Sequence, residues 1–354
     1  MAATFTRALA ELRREDAPEY GGKSANLGEL LAAGLAVPDG FAVGADAFRT
    51  FVEETGLAGT IDAAVVRAGG DPDRLDSAAK TISESMRFAP LPAAVEAEVS
   101  ARHEELVRAA GGAEPALAVR SSALGEDSAE ATFAGQQESF LWLRGLDEVL
   151  DAVRDCWASL YTPRAIGYRA RLGAGPEPAM GVTVQLMVDA ERSGVMFTCN
   201  PVSGDRSMVA VNASWGLGIG VVGGEVTPDD YLVSKVTREL VRKSVNAKEV
   251  EFVPDPRGRG TVRLEVPPDR RDAQCLDVEH FAPLLDAAQR VEAHFGAPQD
   301  VEWAFVRGAG AADGLRILQA RPVTALPQRE VHAPASALEL VMSTFGAVPR
   351  KDAS

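Results

Sequence analysis

The apolar positions of this chain fall into blocks with two periods. Leu27, Leu30 and Leu31 lie at helical spacing and Gly34 is placed to end that helix. The stretch before it reads as a helix followed by a Gly-rich turn, and Val37-Pro38-Asp39-Gly40 is turn chemistry leading into a short strand, Phe41-Ala42-Val43. From about residue 45 to 110 the pattern is mostly helical, broken at Gly69-Gly70-Asp71-Pro72 and Pro90-Leu91-Pro92. Ala116-Leu117-Ala118-Val119 then forms a compact strand that delivers Arg120-Ser121-Ser122 at its end. After Gly145 come two helices. The first has Asp147 as its expected N-cap and an apolar stripe of Leu150, Val153, Trp157 and Leu160; the second opens at Thr162-Pro163.

Beyond Met180 the period changes to two. Val182, Val184, Leu186 and Val188 alternate with Thr183, Gln185 and Met187, and strands also fit residues 194–197, 208–212, 300–305 and 315–321, with a helix over 281–295. From Pro327 onward the chain reads as a tail or docking segment. No repeat of solenoid period is present.

Composition narrows the class. The 354 residues suffice for two or three compact units, and the 46% hydrophobic and 25% charged fractions are those of an ordinary globular protein. A formal charge of −15 makes nucleic acid an unsuitable partner, although a local pocket of cations can still oppose the global sign. Cys156, Cys199 and Cys275 are scattered, without zinc or disulfide spacing. No run approaches the 18 or so apolar residues of a membrane span, and the N-terminus lacks a signal-peptide pattern, so no membrane association and a cytoplasmic location are expected.

Two phosphate-binding motifs are decoys. Gly22-Lys23-Ser24 ends like a P-loop, but Ala17 stands where the earlier glycine belongs and no apolar strand precedes it. Residues 218–223 match GxGxxG, yet Gly224 and Pro228 follow at once and forbid the long helix of a dinucleotide fold.

Paired positions carry better chemistry. On a strand, Asp300 and Glu302 point to one face, roughly 6–7 Å apart, a spacing that suits magnesium bridging nucleotide phosphates. Gln319 and Arg321 share a face in the same way and offer a planar guanidinium fork with an amide beside it. Arg120 at a strand exit is a second phosphate clamp. The loop 131–139 contains Thr132 and Gly135 and can close over a triphosphate through backbone N–H groups. Lys23, in a Gly-rich turn at a helix start, adds a further cation.

Taken in order, residues 21–28 (GGKSANLG), 119–123 (VRSSA), 132–136 (TFAGQ), 194–198 (GVMFT), 215–218 (WGLG), 300–303 (DVEW) and 319–322 (QARP) resemble the N-terminal ATP-binding domain of the phosphoenolpyruvate synthases, which pyruvate phosphate dikinases and rifampin phosphotransferases share. The likeness runs over about residues 15 to 326. It implies an α+β chain with an ATP-grasp fold: an N-terminal lobe with a helical portion (1–190), a C-terminal lobe (191–326), a tail (327–354), and Mg-ATP between the two lobes. By the same resemblance Lys23, Arg120, Thr132, Gly135, Gln185, Glu302, Gln319 and Arg321 contact nucleotide, and Asp300 and Glu302 hold Mg2+. Lys23, Arg120 and Arg321 are the residues it assigns to catalysis.

The family transfers a phosphoryl group from ATP to a histidine on a swivelling domain, releasing AMP and phosphate overall, and from there to a small-molecule acceptor. None of His103, His280, His294 and His332 stands in the family's phosphohistidine loop. The acceptor is therefore expected on a separate phosphohistidine-domain protein or subunit, as in the split phenylphosphate synthases. Direct phosphorylation of a hydroxylated metabolite and a non-catalytic nucleotide-binding subunit are the alternative readings. Where synthase relatives usually read Trp-Gly-Leu-Gly-Glu, this chain is read as carrying Gly220, one acidic side chain fewer.

Overall fold

A computed structural model describes residues 4–69, 71–124, 138–172 and 178–323. The chain is α+β, as expected. Its first half forms strands β1 (Thr6–Ala8), β2 (Gly40–Val43), β3 (Leu117–Ala123), β4 (Ser139–Leu143) and β5 (Met180–Leu186), which make one sheet in the order β1-β2-β5-β3-β4. Helices α1 (Ala17–Ala32), α2 (Ala45–Glu54), α3 (Leu57–Ala68), α4 (Pro72–Phe88), α5 (Ala93–Ala109), α6 (Leu146–Ala158) and α7 (Pro163–Leu172) accompany it.

The second half forms β6 (Ala190–Phe197), β7 (Met208–Trp215), β8 (Asp229–Ser234) and β9 (Leu240–Ser244), then the hairpin β10 (Val250–Pro254) and β11 (Thr261–Glu265), then β12 (Gln299–Val306) and β13 (Leu315–Pro322). Six of these make a second sheet in the order β13-β12-β6-β7-β8-β9. The short helices α8 (Ile219–Val222), α9 (Pro268–Arg271) and α11 (Ala311–Gly314) and the long α10 (Val278–Phe295) complete it.

Each sheet has one greasy face, and the strand alternation decides which. Leu117, Val119, Val182 and Val184 of the first sheet pack with Phe48, Phe51, Ile82, Val153 and Trp157 of the helices. That leaves Arg120, Thr183 and Gln185 on the other face, since Arg120 stands opposite Thr183 in the β3–β5 register. In the second sheet Val301, Trp303, Ile317 and Ala320 pack with Leu284, Leu285, Ala288 and Val291 of α10, and Asp300, Glu302, Gln319 and Arg321 are turned away from that core. Helix α1 touches both sheets: Leu27 and Leu30 belong to the second core, while the turn around Ser24 lies on β3 and β5.

Several local expectations change. The segment read as an opening helix contains β1 and two 3₁₀ turns, because Thr6–Ala8 finds an edge partner in Phe41–Val43. Helix α6 starts at Leu146 with Gly145 (φ +82°) as its N-cap, so Asp147 stands in the first turn, where its charge favours the helix dipole without capping it. Strands β8 to β11 were not among the strands expected, and β9 is exposed at every residue, an edge strand carrying Arg242, Lys243 and a bulge. The GxGxxG stretch yields only the single turn α8, as Gly224 and Pro228 require. No helix among the described residues is long and apolar enough to cross a membrane.

Candidate functional site

Lys23 owes its position to a glycine. At Gly21 the backbone leaves helical geometry (φ +80°, ψ 159°), and a Cβ there would lie 2.2 Å from the carbonyl oxygen of Ser122. Only glycine tolerates both the conformation and the contact. The helical run that follows therefore begins against β3, and Lys23 enters the interior, 4% exposed, where its Nζ donates to the Ser121 carbonyl at 2.9 Å. The next residue fixes the turn: Ser24 N donates to Ser122 Oγ at 3.2 Å, and Ser24 Oγ shares a 2.6 Å hydrogen bond with Thr183 Oγ1. Lys23 thus stands beside the strand that carries Arg120. Gln185, two residues along β5 from Thr183, is buried and donates Nε2 to Pro38 O at 3.1 Å.

The second set comes from β12 and β13. Asp300 pairs with Arg321 and Glu302 with Gln319 across the antiparallel ladder. The same-face spacing read from the sequence therefore becomes a square of two acids, one amide and one guanidinium. Arg321 Nε donates to Asp300 Oδ2 at 2.8 Å. Burial pushes the Asp300 carboxyl above its usual range; Arg321 pulls it back, and neighbouring Glu302 raises it further.

The two sets meet. Arg120 Nη1 lies 3.9 Å from Glu302 Oε2, an ion pair too long for a hydrogen bond. Arg120 Nε is buried and has no hydrogen-bond partner among the described residues. A buried guanidinium nitrogen without an acceptor costs free energy unless something supplies an oxygen. Arg120 and Arg321 balance the two acids, so the charge here is locally neutral despite the overall charge of −15.

Phosphate oxygens fit this donor set. Asp300 and Glu302 fit a magnesium ion that takes its remaining ligands from phosphates and water. Among the described residues no group of three or more His, Cys, Asp or Glu stands ready to hold a metal alone. The structure thus brings together Arg120, Asp300, Glu302, Gln319 and Arg321, with Gln185 on the same face as Arg120, while Lys23 is held on the carbonyl of Ser121, the residue after Arg120. Thr132 and Gly135 lie outside the described residues.

Sequence reasoning missed an apolar part. Trp142, Val188, Ala190, Leu217 and Ala304 form a small cluster between the sheets, with half-buried Met187, Phe252 and Leu318 packed on it. Ala304 and Glu302 share a face of β12, so apolar surface continues directly from the charged set, a combination that suits an aromatic base joined to phosphates. No local signal marked it, since Val188 simply continues the alternation of Val182, Val184 and Leu186 and the other members come from separate segments.

The departure assigned to Gly220 needs correcting. Counting from Trp215, the fifth residue is Ile219, so the acid's place falls to Ile219, which is partly exposed on α8. Gly220 has a packing reason of its own: a Cβ there would lie 2.9 Å from Val226 Cγ2 and 3.0 Å from Phe252 Cδ2.

Comparison with known proteins agrees with the motif reading. A family model described as the pyruvate phosphate dikinase AMP/ATP-binding domain matches residues 17–340. A probable phosphoenolpyruvate synthase of Pyrococcus abyssi is 39% identical over 391 aligned residues, covering 99% of this chain and 47% of the relative. The phosphoenolpyruvate synthase of Pyrococcus furiosus is 38% identical, covering 99% and 48%. A probable phosphoenolpyruvate synthase of Methanocaldococcus jannaschii is 41% identical over 324 residues, covering 91% and 27%. The chain thus spans about half the length of the first two relatives and about a quarter of the third. Among solved structures, the D-cycloserine synthetase DcsG covers 65% of this chain and 54% of its own at 14% identity and a TM-score of 0.26, too slight a likeness to bear on the fold.

Proposed function

Because the chain belongs to the family of the pyruvate phosphate dikinase AMP/ATP-binding domain, we propose that it binds Mg-ATP between its two sheets and passes a phosphoryl group to a histidine carried by a separate domain or subunit. The division is that of an ATP-grasp fold, an N-terminal lobe to about residue 190 and a C-terminal lobe over 191–326. The observation that supports the reading is Arg120: its Nε is buried with no partner among the described residues, and its Nη1 stands 3.9 Å from Glu302 of the other sheet, so the guanidinium keeps donors for phosphate oxygens.

In this reading Lys23 and Arg120 bind the polyphosphate from the first sheet, and Gln319 and Arg321 bind it from the second. Thr132 and Gly135 close over it, and Gln185 and the apolar cluster around Met187 orient the nucleoside. Magnesium, held by Asp300 and Glu302, would supply charge neutralisation on the phosphate oxygens. The protein's own contribution is positioning and electrostatic stabilisation, which is the larger part of phosphoryl-transfer catalysis. Overall, ATP, water and the partner's imidazole give AMP, phosphate and phosphohistidine: both phosphoanhydride bonds of ATP break, one phosphoryl group goes to the imidazole nitrogen and the other to water. A small molecule is the final acceptor, and the setting is the cytoplasm.

The test is transfer itself. Purified protein with Mg-ATP and a phosphohistidine-domain protein from the same genome should yield acid-labile, base-stable protein phosphate. Transfer to a small hydroxylated compound with no protein partner present would replace this reading with that of a direct kinase.

A further inference from the structure

Between the two halves of the site lies a single turn of α1, Lys23 to Asn26, and it is bonded to both sheets. Ser24 ties it to the first sheet through Ser122 Oγ and Thr183 Oγ1. Asn26 ties it to the second: its Nδ2 donates to the Ala320 carbonyl on β13 at 3.3 Å, a buried bond between residues 294 apart in the chain. Ala320 stands between Gln319 and Arg321. The turn is pressed home at both ends, since a Cβ at Gly21 would fall 2.2 Å from Ser122 O and one at Gly28 would fall 2.2 Å from Leu12 O.

Asn is a poor choice for a buried helix position. Its side chain competes with the backbone for hydrogen bonds, and its amide must be desolvated. Ala would hold the helix better and Leu would fill the core better. What Asn alone supplies here is a donor to the strand that carries Gln319 and Arg321, from the same turn that carries Lys23.

We propose that Asn26 is a positioning residue that sets the spacing between the Lys23–Arg120 half and the Gln319–Arg321 half of the nucleotide site, with Ser24 as its counterpart on the first sheet. The inference rests on the nucleotide reading given above. It makes a distinction that a purely structural role would not: a ligand whose phosphates touch both halves senses the spacing, and a shorter one does not.

The experiment is calorimetric titration of wild type, Asn26→Ala and Asn26→Asp with Mg-ATP and with AMP. Asn26→Ala should weaken Mg-ATP binding about tenfold, the scale of one lost hydrogen bond acting through geometry, while AMP affinity holds. Asn26→Asp cannot donate to the Ala320 carbonyl when ionised and should behave like Asn26→Ala at pH 8. Its protonated carboxyl restores the donor, so its ATP affinity relative to wild type should recover toward pH 5.5. This pH series also carries the test if Asn26→Ala does not fold. Loss that is absent, or shared equally by AMP and ATP, or an Asn26→Asp deficit that does not change with pH, overturns the role of Asn26. Wild-type protein that binds no ATP overturns the nucleotide reading itself.

Discussion

Arg120 of β3 and Glu302 of β12, each partly buried, approach to 3.9 Å from the two different sheets. Neither is committed to the other, because the distance exceeds a hydrogen bond and Arg120 Nε has no acceptor among the described residues. Under the reading proposed above, the pair forms two walls of one anion site.

Truncating the walls should therefore remove function and spare the fold. Glu302→Ala and Arg321→Ala are each expected to lower phosphoryl transfer by about two orders of magnitude or more, the scale of a lost charge-assisted contact in a preorganised site. Their far-ultraviolet circular dichroism should match wild type, since both side chains lie off the core face of their strands. Transfer assays alongside melting curves check this, and unchanged transfer in either variant would mean the site lies elsewhere.

Asp300 should behave in the opposite sense for stability. Its folded-state carboxyl titrates above the unfolded value, mainly through burial. The folded chain therefore binds more protons over that interval. The contribution favouring the fold is complete below the unfolded Asp range, near pH 3.9, and is lost as pH rises through the folded value. Asn cannot ionise, and its Oδ1 can still accept from Arg321. Asp300→Asn should thus raise Tm at pH 7 by about 2 °C, with the gain fading toward pH 4, while it weakens magnesium-dependent ATP binding. A Tm that falls at pH 7 would contradict this.

Lys248 and Asp229 make a different kind of pair. Both side chains are fully buried, joined at 2.6 Å, and Asp229 also accepts from Asn246 N, Cys275 N and Tyr231 Oη. Lys248→Met would leave an uncompensated carboxylate inside the protein and should destabilise it by about 3–5 kcal/mol. Adding Asp229→Asn should recover much of the loss, because a neutral amide needs no counter-charge. Urea unfolding of the single and double variants measures both effects.

Gly21→Ala tests the turn that places Lys23. The added Cβ meets Ser122 O and Oγ at 2.2 Å and requires a left-handed alanine. A cost of about 1–3 kcal/mol from the conformation alone is expected, with further loss from the contact, and ATP affinity should fall even at temperatures where the variant is folded. Retained affinity would show that the helix start is not what positions the lysine.

Much of the site was legible because it is local. The period-two placement of Asp300 with Glu302 and of Gln319 with Arg321 follows from strand geometry, and the antiparallel register then sets each acid opposite its polar partner. Lys23 in a glycine-rich helix start was legible for the same reason, since Gly21 leaves the chain few other shapes. The meeting of Arg120 with Glu302, 182 positions away in the chain, carries no local signal. Nor does the apolar cluster of Met187, Leu217, Phe252 and Leu318, whose members come from four separate segments. Strands such as β9, held by a neighbour and a bulge while exposed along their whole length, depart from the alternation that reveals buried strands.

The most direct test of the account is calorimetric titration of Mg-ATP into wild type, Arg120→Ala and Arg321→Ala, one cation from each sheet. The account predicts one equivalent bound by wild type and an affinity loss of about tenfold or more in each variant. Full-affinity binding by either variant, or no binding by wild type, would contradict the claim that a single ATP is held from both sides.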